Sequence, residues 1–513
     1  MQAPFPRFVL SLLLVLLLVL CATKVRKGGD FPEYGLTAIA LAQHGTPYIS
    51  LDDVDRAIAL SHEEGFRELF TTVRQNMVRG DEVPLPGLVR SRHGHYLAIH
   101  FFAYPALAAI PLRILDAVGV DPFKAGQLVN LLPVFVLGVA CYLLFGSAKR
   151  AWLALALFLL CGAVRYLNWF SPEVFSMAAL LSGLILFSLG RPLAAVILPG
   201  LAAMQNPPLL FVALFAPLLR VGWLIASDDL HWRAALRRTA TLRNGAACLL
   251  LLAMAGTPVL FNLWQFGEPS LIAKFSSDPA LISASRFGSF FVDPNQGVIV
   301  AFPAVAVLLL WQAWTLRAQR CAWLAGAALG LMLALVVPAM STVNWNSGAA
   351  GPMRYVVWAA APLLYLALAG LALAQRWPAR AVLLVLLAQG VAMWHAKGYD
   401  HTEFSPAAAW LLRSAPALYN PDPEIFHDRA LGIDVAMPDD SVIAWPDSRQ
   451  PSKILYNARN PDAGASLCGQ GAILDASAAV HMPRGWRYIN GAPHCTAPQK
   501  TNPDTAPDRA TPQ

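Results

Sequence analysis

The run FVLSLLLVLLLVLCA, residues 8–22, decides the fold class of this 513-residue chain, because none of its side chains is charged. A helix needs about 20 apolar residues to cross the hydrocarbon core of a bilayer, and similar runs recur as far as residue 395. Overall, 57% of the residues are hydrophobic, 13% are charged, and the mean hydropathy is +0.50. Soluble proteins carry about 25% charged residues. These values predict an all-α polytopic membrane protein.

Eleven segments are apolar enough to be predicted as membrane spans. They are 8–22, 125–145, 151–168, 172–189, 191–205, 208–226, 245–263, 298–315, 321–340, 354–374 and 380–395. The segment 97–115 is also apolar, but it contains His100, Pro105, Pro111 and Arg113. We interpret it as an interfacial or re-entrant helix, because prolines and polar side chains fit the membrane surface better than the core.

Basic residues predict which side of the membrane each loop faces. Twelve Lys and Arg residues lie in one set of loops, and four lie in the short loops between them. The basic set comprises loops 146–150, 190–191, 220–244, 317–320 and 376–380. Because Lys and Arg concentrate in cytoplasmic loops, this set is predicted to be cytoplasmic. The segments 23–124, 264–297 and 396–513 are then outside.

The first apolar run admits other orientations. Lys24, Arg26 and Lys27 follow it, and local charge alone would invert it. Residues 1–23 also resemble a signal peptide with a cleavage site near "CAT". Cleavage would still leave loop 23–124 outside. We predict a retained helix.

The chain is predicted to contain five parts. They are a first transmembrane helix or signal peptide (1–23), a large outer loop with juxtamembrane helices (24–124), a transmembrane bundle (125–395), a small mixed α/β extracytoplasmic segment (396–496) and a polar, Pro-rich disordered tail (497–513). In the outer loop, PEYGLTAIALAQHG predicts a helix that ends at Gly45. In the C-terminal segment, Ser405 and Pro406 predict a helix start, and SVIAW and KILYN are strand-like.

The C-terminal segment contains two cysteines, Cys468 and Cys495, whereas the other five lie in or beside apolar runs. Two cysteines alone in a polar segment predict a disulfide bond and an oxidising compartment. The alternative is a pair of free thiols.

Three acidic residues are candidates for catalysis. Asp30 and Glu33 follow the first span, three residues apart, so they share a face of any helix there. Glu173 lies in SPE, at the predicted outer junction of two spans. Ionisable groups at membrane depth tend to mark function. The alternative for each is an acid that only caps a helix, because the helix dipole favours acids in the first turn.

Basic residues on the predicted outer side could bind a phosphate. Arg354 starts a span after a Gly-rich turn, and a guanidinium binds phosphate with two hydrogen bonds. Arg92 and His95 belong to a basic patch with His93 and His100. The alternative for Arg354 is an interfacial side chain that reaches toward water. HGHYLAIH and the acidic run LDDVD are weak candidates for binding a metal ion.

Several classes of protein are not indicated. The sequence has no Gly-rich phosphate loop, no GxSxG and no HExxH motif. The net charge of +7 does not require a nucleic-acid partner, because much of it lies in the loops between spans. No large cytoplasmic nucleotide-binding domain is predicted. The substrate therefore has to come from the membrane or from the outer side.

Five stretches together resemble the GT-C glycosyltransferases, which are membrane enzymes that use polyprenyl-phosphate sugars. They are GGDFPEYGLTAIALAQHG (28–45), HYLAIHFFAYPALAAIPLRIL (95–115), NWFSPEVFSM (168–177), NQGVIVAFP (295–303) and NWNSGAAGPMRYVVWAAAP (344–362). The resemblance spans roughly residues 8–395. It departs from the family pattern in two ways: Phe31 and Pro32 separate the first two acids, and the third acid is Glu.

The resemblance implies a function on the outer face of a bacterial inner membrane. A monosaccharide would move from a polyprenyl phosphate to a glycan, lipid or protein acceptor, with inversion. Asp30 would be the general base, Glu33 and Glu173 would orient the acceptor or hold a divalent metal ion, and Arg354, Arg92 and His95 would bind the phosphate. Which acid is the base stays open, as does the need for a metal. The other implied partners are membrane lipids, and no nucleic acid is expected.

Two other functions are compatible with such a chain. A transporter or flippase of envelope lipids would need polar residues along a path through the spans, which are poor in charge. A polysaccharide polymerase or ligase would also work outside, but it would favour arginines over paired acids in the outer loop.

Overall fold

The computed structural model describes residues 4–315, 318–346, 351–374 and 379–496. The chain forms two compact units, Met1–Asp400 and His401–Gln513. The first unit contains the apolar helices, and the second contains most of the β-structure. The predicted disordered tail and the predicted cytoplasmic residues Arg317 and Arg376 lie outside the described residues.

The first unit starts with an apolar helix and a folded outer segment. Its elements are α1 (Pro4–Ala22), α2 (Phe31–His44), α3 (Leu51–Leu60), α4 (Glu64–Arg79), β1 (Leu88–Arg90), β2 (Tyr96–Ala98) and α5 (Ala103–Ala117). Helix α2 ends at Gly45, as the sequence predicted, and the φ of +72° at Gly45 gives it a left-handed C-cap. Ser50 and Asp53 form a capping box at α3. Strands β1 and β2 pair as an antiparallel hairpin.

The chain continues through a series of mostly apolar helices. They are α6 (Lys124–Phe145), α7 (Ala148–Phe158), α8 (Val164–Tyr166), α9 (Glu173–Ser188), α10 (Pro192–Gln205), α11 (Val212–Asp228), α12 (Trp232–Thr239) and α13 (Leu242–Phe266). A π-helical stretch, Leu159–Ala163, joins α7 to α8 and breaks the helix at Gly162, where φ is +94°. A β-carbon at residue 162 would lie 2.9 Å from the Val357 side chain, so this break depends on glycine.

The rest of the first unit is also helical, and its helices vary in length. They are α14 (Leu271–Phe275), α15 (Ala284–Val292), α16 (Val298–Ala301), α17 (Pro303–Thr315), α18 (Ala318–Ala339), α19 (Arg354–Ala359), α20 (Ala361–Leu373) and α21 (Ala379–Ala396). Short 3₁₀ turns, Pro207–Phe211 and Pro279–Leu281, precede α11 and α15.

Helix α9 is the centre of this unit. All of its residues, from Glu173 to Ser188, are buried. It contacts α6, α10, α11, α19 and α20. A helix that is apolar on every side has to be surrounded by other elements. Its first residue, an acid, is therefore held in a buried position by the helices around it.

Within the described residues, six helical segments are long and apolar enough to cross a membrane, which supports an integral membrane protein. They are Pro4–Ala22, Lys124–Phe145, Pro207–Asp228, Leu242–Phe266, Cys321–Ala339 and Arg354–Leu373. Four more predicted spans coincide with shorter apolar helices, namely Glu173–Ser188, Pro192–Gln205, Pro303–Trp314 and Arg380–Ala396. The predicted span 151–168 falls on the broken α7–α8 helix. The count of eleven crossings stays a prediction.

The second unit combines short helices with small sheets, as the sequence predicted. Its elements are α22 (Pro406–Ser414), α23 (Pro423–Leu431), β3 (Val442–Trp445), β4 (Lys453–Asn457), α24 (Ala463–Cys468), β5 (Ile473–Leu474), β6 (Val480–His481), β7 (Trp486–Asn490) and β8 (Cys495–Thr496). The order β3-β4-β7-β6 forms an antiparallel sheet, and β5 pairs with β8. Ser405 caps α22 by accepting from the Ala408 N–H.

Cys468 and Cys495 form a disulfide bond, with their Cα atoms 5.6 Å apart. The bond joins the end of α24 to the last strand. Of the cysteines in the apolar segments, Cys141 and Cys161 are buried as thiols.

Candidate functional site

Arg354 brings two acids from distant parts of the chain together. Its Nη2 donates to Asp30 Oδ2 at 3.0 Å, and its Nε lies 3.1 Å from Glu173 Oε1. All three side chains are largely buried: the exposed fraction is 13% for Arg354, 22% for Asp30 and 6% for Glu173. The acids of the first outer loop and of the turn before α9 therefore share one guanidinium.

The backbone explains why Asp30 is available for this contact. Asp30 occupies the N-cap position of α2, where an acid usually accepts a hydrogen bond from the helix, but its side chain makes no capping bond. Gly29, just before it, has a φ of +53°, and its backbone passes close to Arg354. The carboxylate is thus directed at the guanidinium instead of its own helix.

Glu173 is held by the start of α9. Pro172 precedes it as the N-cap residue, and the Ser171 hydroxyl donates to Glu173 Oε2. The positive end of the helix dipole favours an acid in this first turn. One carboxylate oxygen is thus bound to Ser171 and the other faces Arg354.

His100 connects the third acid to this group. Its Nδ1 lies 2.5 Å from Glu33 Oε2, and its Nε2 lies 3.6 Å from Asp30 Oδ2. His100 follows strand β2, in the link to α5, and is 20% exposed. Asp30, Glu33, Glu173, Arg354 and His100 are called the carboxylate cluster below.

Gly87 leaves the space that Glu33 occupies. It has a φ of +116°, a backbone conformation that favours glycine. A β-carbon at this position would overlap Glu33 Oε1. The turn before β1 is therefore shaped to let the Glu33 carboxyl lie against the backbone.

The pKa values of Asp30, Glu33 and His100 are set by burial and by the charged side chains beside them. Burial would raise the pKa of Asp30, but the charges of Arg354 and His100 outweigh it and hold that pKa below its ordinary value. Burial raises the pKa of Glu33, and His100 offsets this only in part. Burial would lower the pKa of His100, but Glu33 and Asp30 raise it to about 9. At neutral pH, Asp30 is ionised and His100 is cationic.

A cavity of about 370 Å³ adjoins the cluster. Glu173, His100 and Arg354 line it, whereas Asp30 and Glu33 are not among its lining residues. Its far side comes from the residues between α10 and α11 and from the segment around α14. Tyr34 also lines the cavity; burial, together with the charges of Asp30 and Glu173, raises the pKa of its hydroxyl, which therefore stays protonated.

Arg92 and His95 make other contacts and are not among the residues that line the cavity, so their predicted role stays a prediction. Arg92 Nη2 donates to the Leu263 carbonyl at 2.9 Å, near the end of α13. His95 stacks on Tyr48, with the ring centroids 4.1 Å apart. Unpaired carbonyls at a helix C-terminus attract basic side chains, which accounts for the position of Arg92.

The two weak metal motifs are also explained by local structure. In HGHYLAIH, the three histidines separate: His93 contacts the Trp264 carbonyl, whereas His100 joins the cluster. In LDDVD, Asp53 caps α3 and Asp55 pairs with Arg74 at 2.6 Å. Neither motif gathers its side chains around a common point.

Asp30, Glu33 and His100 form a possible metal site. One ligand atom from each lies within 4.8 Å of the others. Two carboxylates and an imidazole fit a divalent ion such as Mn²⁺ or Zn²⁺. A protonated His100 donates a hydrogen bond to Glu33 and forms an ion pair with Asp30, so the site fits either a proton on His100 or a metal ion.

Sequence reasoning proposed the three acids and Arg354, which the structure brings close together, but it left His100 in a basic patch and passed over Tyr34. The signal for Tyr34 was available, because it follows Glu33 at the start of a predicted helix. The pairing of His100 with Glu33 spans 67 positions and has no local signature.

No protein-family model matches the chain, no curated protein matches its sequence, and no solved structure matches its fold.

Proposed function

We propose that this chain is a membrane glycosyltransferase of the GT-C type. It transfers a monosaccharide from a polyprenyl phosphate to a glycan, lipid or protein acceptor, with inversion at the anomeric carbon. We place the reaction on the periplasmic face of a bacterial inner membrane, with eleven crossings and the C-terminal unit outside. Membrane lipids surround the first unit, and no nucleic acid takes part.

The observation that carries the proposal is the meeting of Asp30 and Glu173 on Arg354 at the wall of a cavity. Buried charges are costly and tend to be kept for function in a membrane protein. The cavity lies among apolar helices, where a lipid-linked donor can approach from the bilayer. The carboxylates can take a proton, and the hydroxyl group that receives the sugar has to lose one.

The chemistry follows from the properties of the reacting groups. An acceptor hydroxyl is a weak nucleophile, so a carboxylate takes its proton as its oxygen bonds to the anomeric carbon. The bond from that carbon to the phosphate oxygen breaks, and the polyprenyl phosphate leaves with the electron pair. Asp30 is the proposed base because it is ionised at neutral pH and is the most exposed of the three acids. Glu173 is the alternative base, since it lines the cavity directly.

Arg354 and His100 balance the charge of the acids and of the leaving phosphate. Arg354 uses Nη2 and Nε toward the acids. Its Nη1 makes no hydrogen bond within the described part of the chain and is the proposed phosphate donor. A divalent ion on Asp30, Glu33 and His100 would add positive charge near the same phosphate.

The test uses the purified full-length chain in nanodiscs and in sealed vesicles. Radiolabelled polyprenyl-phosphate sugars are supplied, together with glycans, lipids and proteins extracted from cells that lack the chain. Label that moves from the donor into one of these fractions supports the proposal. Donor that crosses the vesicle bilayer chemically unchanged, with no labelled product, would identify a transporter and overturn it.

A further inference from the structure

We propose that Gln205, Asn206 and Tyr34 form a sugar-binding subsite in the cavity beside the carboxylate cluster. The inference rests on the proposed function and names the part of the substrate that these residues recognise. They would hydrogen-bond to the hydroxyl groups of a monosaccharide, either the one on the lipid donor or one at the end of the acceptor.

Gln205 is the last residue of α10, and its side-chain orientation is fixed by a backbone contact. The residue is 3% exposed and lines the cavity. Its Oε1 accepts a hydrogen bond from the Tyr104 backbone N–H at 2.8 Å. A backbone N–H can only donate, so the oxygen has to face it and the NH₂ group has to face away. This NH₂ group has no acceptor within the described residues.

Asn206 presents the complementary group. Its Nδ2 donates to the Ser176 hydroxyl at 2.7 Å, which leaves Oδ1 as a hydrogen-bond acceptor. No donor to Oδ1 is present in the part of the chain that the structure describes. Pro207 and Pro208 end α10 here and start a 3₁₀ turn, and all four residues line the cavity. The end of this helix therefore offers an adjacent donor and acceptor.

Tyr34 supplies a third polar group between these amides and the acids. It is 3% exposed and lines the cavity, and its hydroxyl has no partner among the described residues. Its ring centroid lies 5.2 Å from that of His100 and 5.9 Å from that of Tyr104, the residue that orients Gln205. The three polar groups thus border the same space as Glu173, His100 and Arg354 of the carboxylate cluster.

The chemistry of these groups favours a sugar over a phosphate. A hydroxyl group both donates and accepts hydrogen bonds, so it can satisfy an amide N–H and an amide oxygen together. An ionised phosphate has no donor for Asn206 Oδ1. These polar groups border the cavity, and a ligand that hydrogen-bonds to them is bound in preference to one that does not. A site built to bind a hydroxyl rejects an analogue that lacks it.

The test measures binding, which does not depend on turnover. The full-length chain in nanodiscs is titrated with neryl phosphate and with neryl phosphates carrying mannose, glucose, arabinose or N-acetylglucosamine. A second arm uses the methyl glycosides of the same sugars. The variants are Gln205→Glu, which keeps the acceptor for the Tyr104 N–H and removes the NH₂ group, and Tyr34→Phe. The control is Gln75→Ala, on an exposed face of α4.

The wild type should bind at least one sugar-bearing ligand more tightly than the ligand without sugar. Gln205→Glu should reduce that preference, measured as the ratio of the affinities for the ligands with and without sugar, about 10-fold, whereas the Gln75→Ala control should keep the wild-type ratio. A preference confined to the neryl phosphates assigns the subsite to the donor, and one found with the methyl glycosides assigns it to the acceptor.

Two results would overturn the subsite. One is a wild type without a preference for any sugar of the panel, and the other is a preference that survives both Gln205→Glu and Tyr34→Phe. A wild type that prefers a sugar-bearing ligand but transfers no labelled sugar would instead contradict the proposed function and still support the subsite.

Discussion

At the scale of single residues, the positive charge of Arg354 compensates the negative charges of the acids beside it. Two buried carboxylates, Asp30 and Glu173, face its guanidinium, and His100 faces Asp30 and Glu33. Removing one partner of a buried ion pair leaves an uncompensated charge, which costs about 3–5 kcal/mol. The groups therefore depend on each other for stability, and each of them also influences the chemistry through the pKa values of its neighbours.

The charge on His100 should make stability depend on pH. Its pKa is raised to about 9 in the folded state, against 6.5 when unfolded. The stabilisation is therefore fully present below pH 6.5 and is lost as the pH rises through 9. At pH 6 we expect the wild type to have a higher melting temperature than His100→Gln. The free energy of unfolding of the wild type should be larger by an amount on the order of 2 kcal/mol.

By pH 9.5 this difference should have largely disappeared. The measurement is thermal unfolding of both proteins in detergent across this range, with His62→Gln, at an exposed position of the outer loop, as the control. A difference that stays constant from pH 6 to pH 9.5 would show that His100 is not held as a cation by Glu33 and Asp30.

Several elements contribute to the cluster, and the boundaries of these elements determine where most of the groups lie. Asp30 precedes α2, Glu173 begins α9, Arg354 begins α19, and His100 lies between β2 and α5. Helix starts favour acids through the dipole, which explains Glu173. Arg354 at a helix start is not favoured by its own dipole, and the two acids compensate for it.

A substitution at Gly87 would test how closely the turn before the β1–β2 hairpin packs against Glu33 of α2. Gly87→Ala places a methyl group where Glu33 Oε1 lies and strains a backbone with φ of +116°. Gly80→Ala is the matched control, because Gly80 has a φ of +81° and nothing within 4 Å of an added β-carbon. We expect both to lose about 1 kcal/mol or more from strain.

The clash should add a further loss of about 1–3 kcal/mol to Gly87→Ala alone. Thermal unfolding of the two variants measures the difference. Equal losses would mean that the Glu33 carboxyl does not lie against this turn.

Sequence patterns predicted individual elements better than they predicted contacts between them. The stop of α2 at Gly45 and the cap of α22 at Ser405 depend on neighbouring residues, and both are confirmed. Arg92 and His95 were expected at the phosphate, but carbonyls at the end of α13 and the ring of Tyr48 determine where they lie. The meeting of Asp30 with Arg354 joins positions 324 apart, so only the folded chain could show it.

At the scale of the whole molecule, the first unit combines apolar helices with the carboxylate cluster. Asp30 and Glu173 both contact Arg354, so these acids lie on the same side of any membrane that the helices cross. The positive-inside pattern of the sequence predicts that this side is the exterior.

The sidedness can be measured with an impermeant maleimide on intact cells. Asp52→Cys, exposed in the outer loop, should be labelled directly, whereas Arg237→Cys, exposed on α12, should be labelled only after the membrane is permeabilised. The unsubstituted chain gives the background of its native thiols. Labelling of Arg237→Cys in intact cells, without labelling of Asp52→Cys, would show that the topology is the reverse of the predicted one and that the cluster faces the cytoplasm.

The most direct test of the account is the initial rate of sugar transfer from a labelled polyprenyl-phosphate donor by Asp30→Asn. Removing a general base should lower this rate by about 100-fold or more, and the variant should remain folded in membranes. The matched control, Asp52→Asn, removes an exposed acid of the same loop and should transfer at the wild-type rate. Asp30→Asn protein that transfers as fast as the wild type, or wild-type protein that transfers from no donor, would contradict the account.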